Sequence, residues 1–201
     1  NATDLLKIKG DYKKYLGKNF RNTKNLEIIR VATHLKDYKK IIKHLKYFKS
    51  INLKVFFNLM QINNVSKKKL KDCLDTLRKS NCVDVFYFAD SFGNLKPNDV
   101  KKICNFIKKN WYKEIGIHSH DNCGLALKNS IQAFKSGATW VDGTIQGMGR
   151  GAGNVKTENL LKYFKKFNYN LKSIEQTSKY YFGDLKKKYK WGKSNYYKIA
   201  A

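Results

Sequence analysis

Long apolar runs are missing from this chain of 201 residues. None approaches the roughly 20 consecutive apolar residues that a membrane-spanning helix needs, and no secretory leader is visible. Paired cysteine spacing is missing as well: Cys73, Cys82, Cys104 and Cys123 contain no C-x-x-C. They read as reduced thiols of a cytoplasmic protein rather than a disulfide framework. Acidic residues are scarce, 15 against 42 Lys plus Arg, for a net charge of +27. Such an excess raises the class of nucleic-acid or acidic-membrane binders. Arginine is rare too, however, confined to Arg21, Arg30, Arg78 and Arg150, and the lysines are spread along the whole chain. With no nucleic-acid motif among them, they read as solvated helix faces, and neither nucleic acid nor membrane is an expected partner. The length suits one domain with a sizeable core.

Residues 1–25 are rich in Lys, Tyr and Asn with weak periodicity, and read as a lead-in loop and short helix. From Leu26 a rhythm sets in. LEIIRVATH, LKVFFNLMQ, VDVFYFAD, EIGIHSH and ATWVDGTI are short apolar strands beginning near positions 27, 54, 84, 115 and 139. Between them lie amphipathic helices. Asp37–Ser50 carries Tyr38, Ile41, Ile42, Leu45 and Phe48 at helical spacing. Ser66 caps a helix with Leu70, Cys73, Leu74 and Leu77 on one face. Pro97, the single proline, suits the first turn of a helix to Asn110. A further helix is expected over Cys123–Ser136, capped by Asp121 and Asn122 and ended by Gly137. Residues 26–154 thus form five β/α units, and residues 155–201 add C-terminal helices over about 155–167 and 172–182.

Alternation of this kind indicates a parallel sheet, in which strands buried on both faces read as near-continuous apolar runs. An open dinucleotide-binding sheet wants G-x-G-x-x-G after its first strand. Here the glycine loop, Gly147, Gly149, Arg150, Gly151 and Gly153, comes after the last strand instead. Polar residues gather at each strand end: Thr33-His34, Asn58 with Gln61, Asp90-Ser91, His118 with His120, and Asp142 to Gln146. A (β/α)8 TIM barrel collects its active site at that end of its strands, from about 250 residues. The expectation is therefore an α/β chain carrying an incomplete TIM barrel.

His118 and His120 stand two apart at a strand end, so alternation puts both imidazoles on one face and Ser119 on the other. Two rings so placed can converge on one divalent ion. A bare His-x-His is equally at home as two satisfied polar residues, because short motifs match by chance.

The residues downstream of the pair tip that balance. HSHDN, then GLALKNSIQAFKSGATWVDGTIQGMGRGAGNVKTENLL, together with IRVATH, FNLMQ and YFADSFGNLKP, resembles the DRE-TIM metallolyases. The 4-hydroxy-2-oxovalerate aldolase-like branch is the nearest in pattern, and the likeness runs from about Glu27 to Ala201. It implies a divalent cofactor (Mn, Mg or Zn) held by His118 and His120, with Asn154 as a third ligand. In such enzymes the metal acts as a Lewis acid that stabilises the enolate formed when a C–C bond breaks or forms. The substrate implied is a 4-hydroxy-2-oxo acid, cleaved to pyruvate and an aldehyde. Ser91 would contact its carboxylate, and Thr33 would line the same mouth. An aldehyde dehydrogenase partner or a homo-oligomer is also implied.

The family's His-x-His lies on strand seven, so LEIIRVATH becomes strand four and about strands 4–8 are present. Its first strand ends in Arg-Asp, a catalytic Arg and a metal-ligating Asp, and no Arg-Asp dipeptide occurs here. The expectation is a fragment, inactive alone. Claisen-condensing acyltransferases such as isopropylmalate or homocitrate synthase are the alternative, disfavoured by the short tail after Asn154. No cysteine interrupts the glycine run, which argues against hydroxymethylglutaryl-CoA lyase activity. An amidohydrolase would place further ligands downstream, and no His comes after His120. A non-enzymatic basic binding module is the third reading, and it would tolerate His118→Ala.

Overall fold

A computed structural model describes residues 1–20, 25–164 and 169–192. Five parallel strands, β1 (Ile28–Thr33), β2 (Lys54–Leu59), β3 (Val85–Asp90), β4 (Glu114–Ser119) and β5 (Trp140–Val141), lie side by side in that order. The helices are α1 (Ala2–Leu6), α2 (Tyr12–Phe20), α3 (Tyr38–Ser50), α4 (Lys67–Ser80), α5 (Pro97–Asn110), α6 (Ala126–Lys135), α7 (Thr157–Tyr163), α8 (Leu171–Thr177) and α9 (Gly183–Tyr189). Sequential strand order with a helix after each strand is what the alternating pattern predicts. The chain divides into two compact units: Asn1–Phe88 with Phe106–Ile115, and Ala89–Asn105 with Gly116–Ala201.

In the first unit, β1 and β2 pair along their full length, Ile28 opposite Lys54 through Thr33 opposite Leu59. Phe56 to Leu59 pair with Val85 to Phe88 of β3. Paired residues of parallel strands share a face, so Phe57 and Phe86 stack with ring centroids 5.6 Å apart. Val55, Phe57, Leu59, Phe86 and Phe88 are all fully buried. At about 25 cal/mol per Å², this aromatic layer supplies a large share of the unit's hydrophobic stabilisation. On α4 the predicted face of Leu70, Cys73, Leu74 and Leu77 is the buried one, and Ser66 accepts the Lys69 N–H as N-cap. Asp84, just before β3, accepts the Val55 N–H at 2.7 Å and is ion-paired to Lys49 at 3.0 Å. That carboxylate pins two strands and a helix at the foot of the sheet.

In the second unit Gly116 and Ile117 pair with Trp140 and Val141. The sequence suggests a longer last strand, but regular pairing stops at Val141. The Asp142 N–H still donates to the Ile117 carbonyl at 3.1 Å while its carboxylate meets His118, and beyond it Thr144 bridges to Lys156 instead of to β4. Helix α6 also begins later than expected, at Ala126 rather than Cys123. Gly124 takes a left-handed φ of 67° there and closes a turn onto the Asp121 carbonyl. Asp121 still serves the helix, since its carboxylate accepts the Ala126 N–H at 2.9 Å. Downstream, α8 passes through a π-helical turn, Ser178–Phe182, into α9. The expected end of the 155–167 helix lies outside the described residues. No helix among the described residues is long and apolar enough to cross a membrane.

Candidate metal and substrate site

The second unit contains its own cluster of strand-end side chains. His118 and His120 share one face of β4, with ring centroids 5.1 Å apart and planes at 84°. Ser119 between them is buried, as alternation requires. His118 Nδ1 lies 2.7 Å from the Asp142 carboxylate just beyond β5, and both side chains are largely buried. A carboxylate there favours the proton on Nδ1 and leaves Nε2 as the free lone pair. Burial pushes the His120 imidazole down to about 4, with the neighbouring His118 and Arg150 charges adding to the effect. His120 is therefore neutral at physiological pH, the form that can donate a lone pair.

His120 and Asn154 face each other in an isolated antiparallel bridge. His120 Nδ1 and Asn154 Oδ1 are both buried with no hydrogen-bond partner among the described residues. Leaving a buried polar group unpaired costs roughly 1–3 kcal/mol, so these two atoms in facing residues are candidates for a ligand contact. Asn154 is held from its other side, where its amide donates to the Met148 carbonyl at 3.0 Å. Two imidazoles and an amide oxygen are donors suited to a divalent ion. Among the described residues no three His, Cys, Asp or Glu side chains come together as a metal set.

The glycine loop is shaped around this pair. Gly153, at φ 85°, would drive any Cβ into the Gly147 carbonyl, and its own carbonyl accepts the Asp121 N–H at 3.0 Å. Arg150 begins a turn closed by the Gly153 N–H at 3.1 Å, and is exposed. Glu158 on α7 accepts the Gln146 N–H at 3.0 Å and the Ser178 hydroxyl at 2.6 Å. Trp191 Nε1 donates to the Gln146 carbonyl at 3.2 Å, and the Gly192 N–H to Gly151 at 2.8 Å. The segment after α9 therefore fastens the loop that carries Asn154.

Ser91 opens the turn after β3. Asp90, fully buried, receives the Asn94 and Leu95 N–H groups at 3.2 Å each. Asn129, buried on α6, donates to the Leu95 carbonyl at 2.7 Å and reaches Asp90 at 3.5 Å. Sequence reading missed Asn129 altogether; a polar residue on an apolar helical face was its one available signal. Thr33 belongs to the first unit, where it is fully buried with its hydroxyl donating to the Val31 carbonyl at 3.4 Å. An apolar cavity of about 440 Å³, lined by Phe134, Trp140, Val141, Leu160 and Phe164 among others, includes neither histidine.

A parallel α/β chain with paired histidines at a strand end and a glycine loop beyond the next strand defines a class of α/β proteins with a polar strand-end site. The particular family emerges from comparison: a model described as HMGL-like matches residues 28–180, and the chain belongs to that family. It is 35% identical over 146 residues to the 4-hydroxy-2-oxovalerate aldolase of Pelotomaculum thermopropionicum, covering 73% of this chain and 43% of that protein. To the enzyme of the same name from Carboxydothermus hydrogenoformans it is 36% identical over 143 residues, covering 71% and 42%. The chain thus spans about two fifths of the length of these curated relatives. Among solved structures it superposes on the N-terminal domain of a candidate aldolase from Bacteroides vulgatus with TM-score 0.72 and 35% identity, covering 83% of this chain and 56% of that one. Bacillus subtilis HMG-CoA lyase shares the fold at TM-score 0.71 and 17% identity, covering 82% and 64%.

Proposed function

We propose that the protein is a divalent-metal-dependent aldolase that releases pyruvate and an aldehyde from a 4-hydroxy-2-oxo acid. The observation that carries this reading is the His118 and His120 pair, with Asp142 on the first ring and the unpaired Asn154 oxygen facing the second residue. When bound there, a divalent ion supplies Lewis acidity toward a carbonyl oxygen. The chain's own residues do the rest of the holding. His118 offers Nε2 because Asp142 occupies Nδ1, and His120 stays neutral because it is buried. Asn154 is presented by the glycine loop, and Ser91 is positioned by the Asp90 turn for the substrate carboxylate.

The five strands are, on this reading, five of the eight of a TIM barrel. Residues 26–154 contribute the β/α units and residues 155–201 the closing helices. The remaining ligand would come from the part of the relatives' length that this chain does not span. The relatives' activity also brings a small-molecule 2-oxo acid as partner, with an aldehyde dehydrogenase or a second copy of the chain as further associates. The test is metal analysis and pyruvate release by the complete gene product, given 4-hydroxy-2-oxovalerate. About one divalent ion per chain and a metal-dependent release are expected; a protein that purifies and reconstitutes without metal sinks the reading.

A further inference from the structure

Arg150 is out of place against the background of this chain. Of 42 basic residues only four are Arg, and Arg150 is the one arginine of the second unit. A bias toward lysine accounts for cations in general but not for a guanidinium here. It stands between Gly149 and Gly151, at the start of the turn closed onto its carbonyl by Gly153. Its guanidinium makes no hydrogen bond or ion pair among the described residues, yet its charge acts on the His120 ring. The nearby carboxylates have other work: Asp142 holds His118, and Asp121 receives the Ala126 N–H. A guanidinium with no hydrogen bond or ion pair among the described residues, in a glycine-flanked turn and within electrostatic range of the His120 ring, is suited to receive an anion. Its planar fork matches a carboxylate in two parallel hydrogen bonds, which a lysine cannot reproduce.

Strand order says which anion. Ser91 comes after β3, the histidines end β4, and the glycine loop comes after β5. The histidines therefore lie between Ser91 on one side and Arg150 on the other. A molecule centred on the histidines with its 2-oxo acid carboxylate toward Ser91 extends its other end toward Arg150. We propose that Arg150 recognises a second carboxylate, on the aldehyde half of the substrate, so that the preferred substrates are dianionic 4-hydroxy-2-oxo acids. This inference rests on the aldolase reading and narrows it to a substrate class.

The test runs the reaction in the direction of bond formation with the metal-loaded complete gene product. The pyruvate methyl carbon, having lost a proton, bonds to the aldehyde carbon, and the resulting alkoxide takes up a proton. Glyoxylate and acetaldehyde, both two-carbon aldehydes and only one of them anionic, are compared by kcat/KM. The wild type should favour glyoxylate by about tenfold or more. Arg150→Gln should lower the glyoxylate-to-acetaldehyde ratio by roughly 10–100-fold, the loss expected for one charged hydrogen-bonding group, and Arg150→Lys should recover only part of it. A wild type without that preference, or a variant that slows both aldehydes equally, overturns the proposal while leaving the aldolase reading intact. A protein that holds no metal and joins neither aldehyde to pyruvate sinks both. Since the Arg150 side chain is exposed and makes no hydrogen bond or ion pair among the described residues, the variants should keep the wild-type melting temperature. A calorimetric titration with glyoxylate gives a second readout, in which Arg150→Gln should bind more weakly than the wild type.

Discussion

Asp142 decides which nitrogen of His118 is free. In metal sites such outer partners typically set affinity by 10–100-fold. Asp142→Ala should therefore weaken divalent-metal binding by about that factor in the complete gene product, measured by calorimetric titration, whereas His118→Ala should abolish it. Equal affinity in Asp142→Ala and wild type would show that the contact does no orienting. The histidine pair was readable in the sequence because alternation along one strand is a local rule. The His118 and Asp142 contact joins residues 24 apart. Asp142 could be seen as one polar strand end among several, but nothing local said which ring it would meet. His44 offers a second test at this scale. Burial and the Lys43 charge hold its imidazole below the ordinary value of 6.5, against a smaller opposing pull from the Ile41 backbone, and Tyr12 packs on the ring at 4.6 Å. Above pH 6.5 both folded and unfolded forms are neutral there, and stability does not depend on it. Below that value the unfolded chain takes up the proton first, so stability falls until the lower folded value is reached. Urea melts from pH 7.5 to 5 should show this decline, and His44→Phe should make it shallower, the remainder coming from His120.

Elements whose apolar residues repeat at one spacing were legible in advance. The α4 face and the β2 and β3 runs need only periodicity, and the structure buries the residues that periodicity selects. The places that escaped are those where a polar contact overrides the pattern. Strand β5 ends early because Thr144 bonds to Val155 and Thr157 rather than to β4, and α6 starts late because Gly124 turns back onto Asp121. Gly93 shows how tightly such a junction is built. Its φ is 62°, and an added Cβ would lie 2.7 Å from the Asn122 nitrogen and 2.9 Å from the His120 carbonyl oxygen. Neither backbone group can yield without moving the histidine strand end. Gly93→Ala should cost on the order of 1–3 kcal/mol in chemical denaturation and lower metal affinity as well; an unchanged denaturation midpoint would contradict this packing. Trp191→Phe removes the indole donor to Gln146. It should speed amide hydrogen exchange across 147–153 while leaving the first unit's exchange unchanged.

For the molecule as a whole, the net charge of +27 is a liability to compactness. Repulsion among so many lysines should be relieved by screening. Raising ionic strength from about 10 mM to about 500 mM is expected to raise the thermal midpoint, and a fall would mean that ion pairs such as Lys54 with Glu114 outweigh repulsion. The family, too, shows at this scale, since the match runs from residue 28 to residue 180 across both units. The tie between Gly192 and Gly151 has a consequence for the order in which the protein is made. Synthesis runs from the N-terminus, and early units fold while later ones are still being added. The histidines emerge from the ribosome well before the residues that clamp the loop beside them. Until Trp191 and Gly192 leave the exit tunnel, a nascent chain has its imidazoles but lacks the two hydrogen bonds that fasten the loop carrying Asn154, so the proposed metal centre matures last, after the strands that carry it.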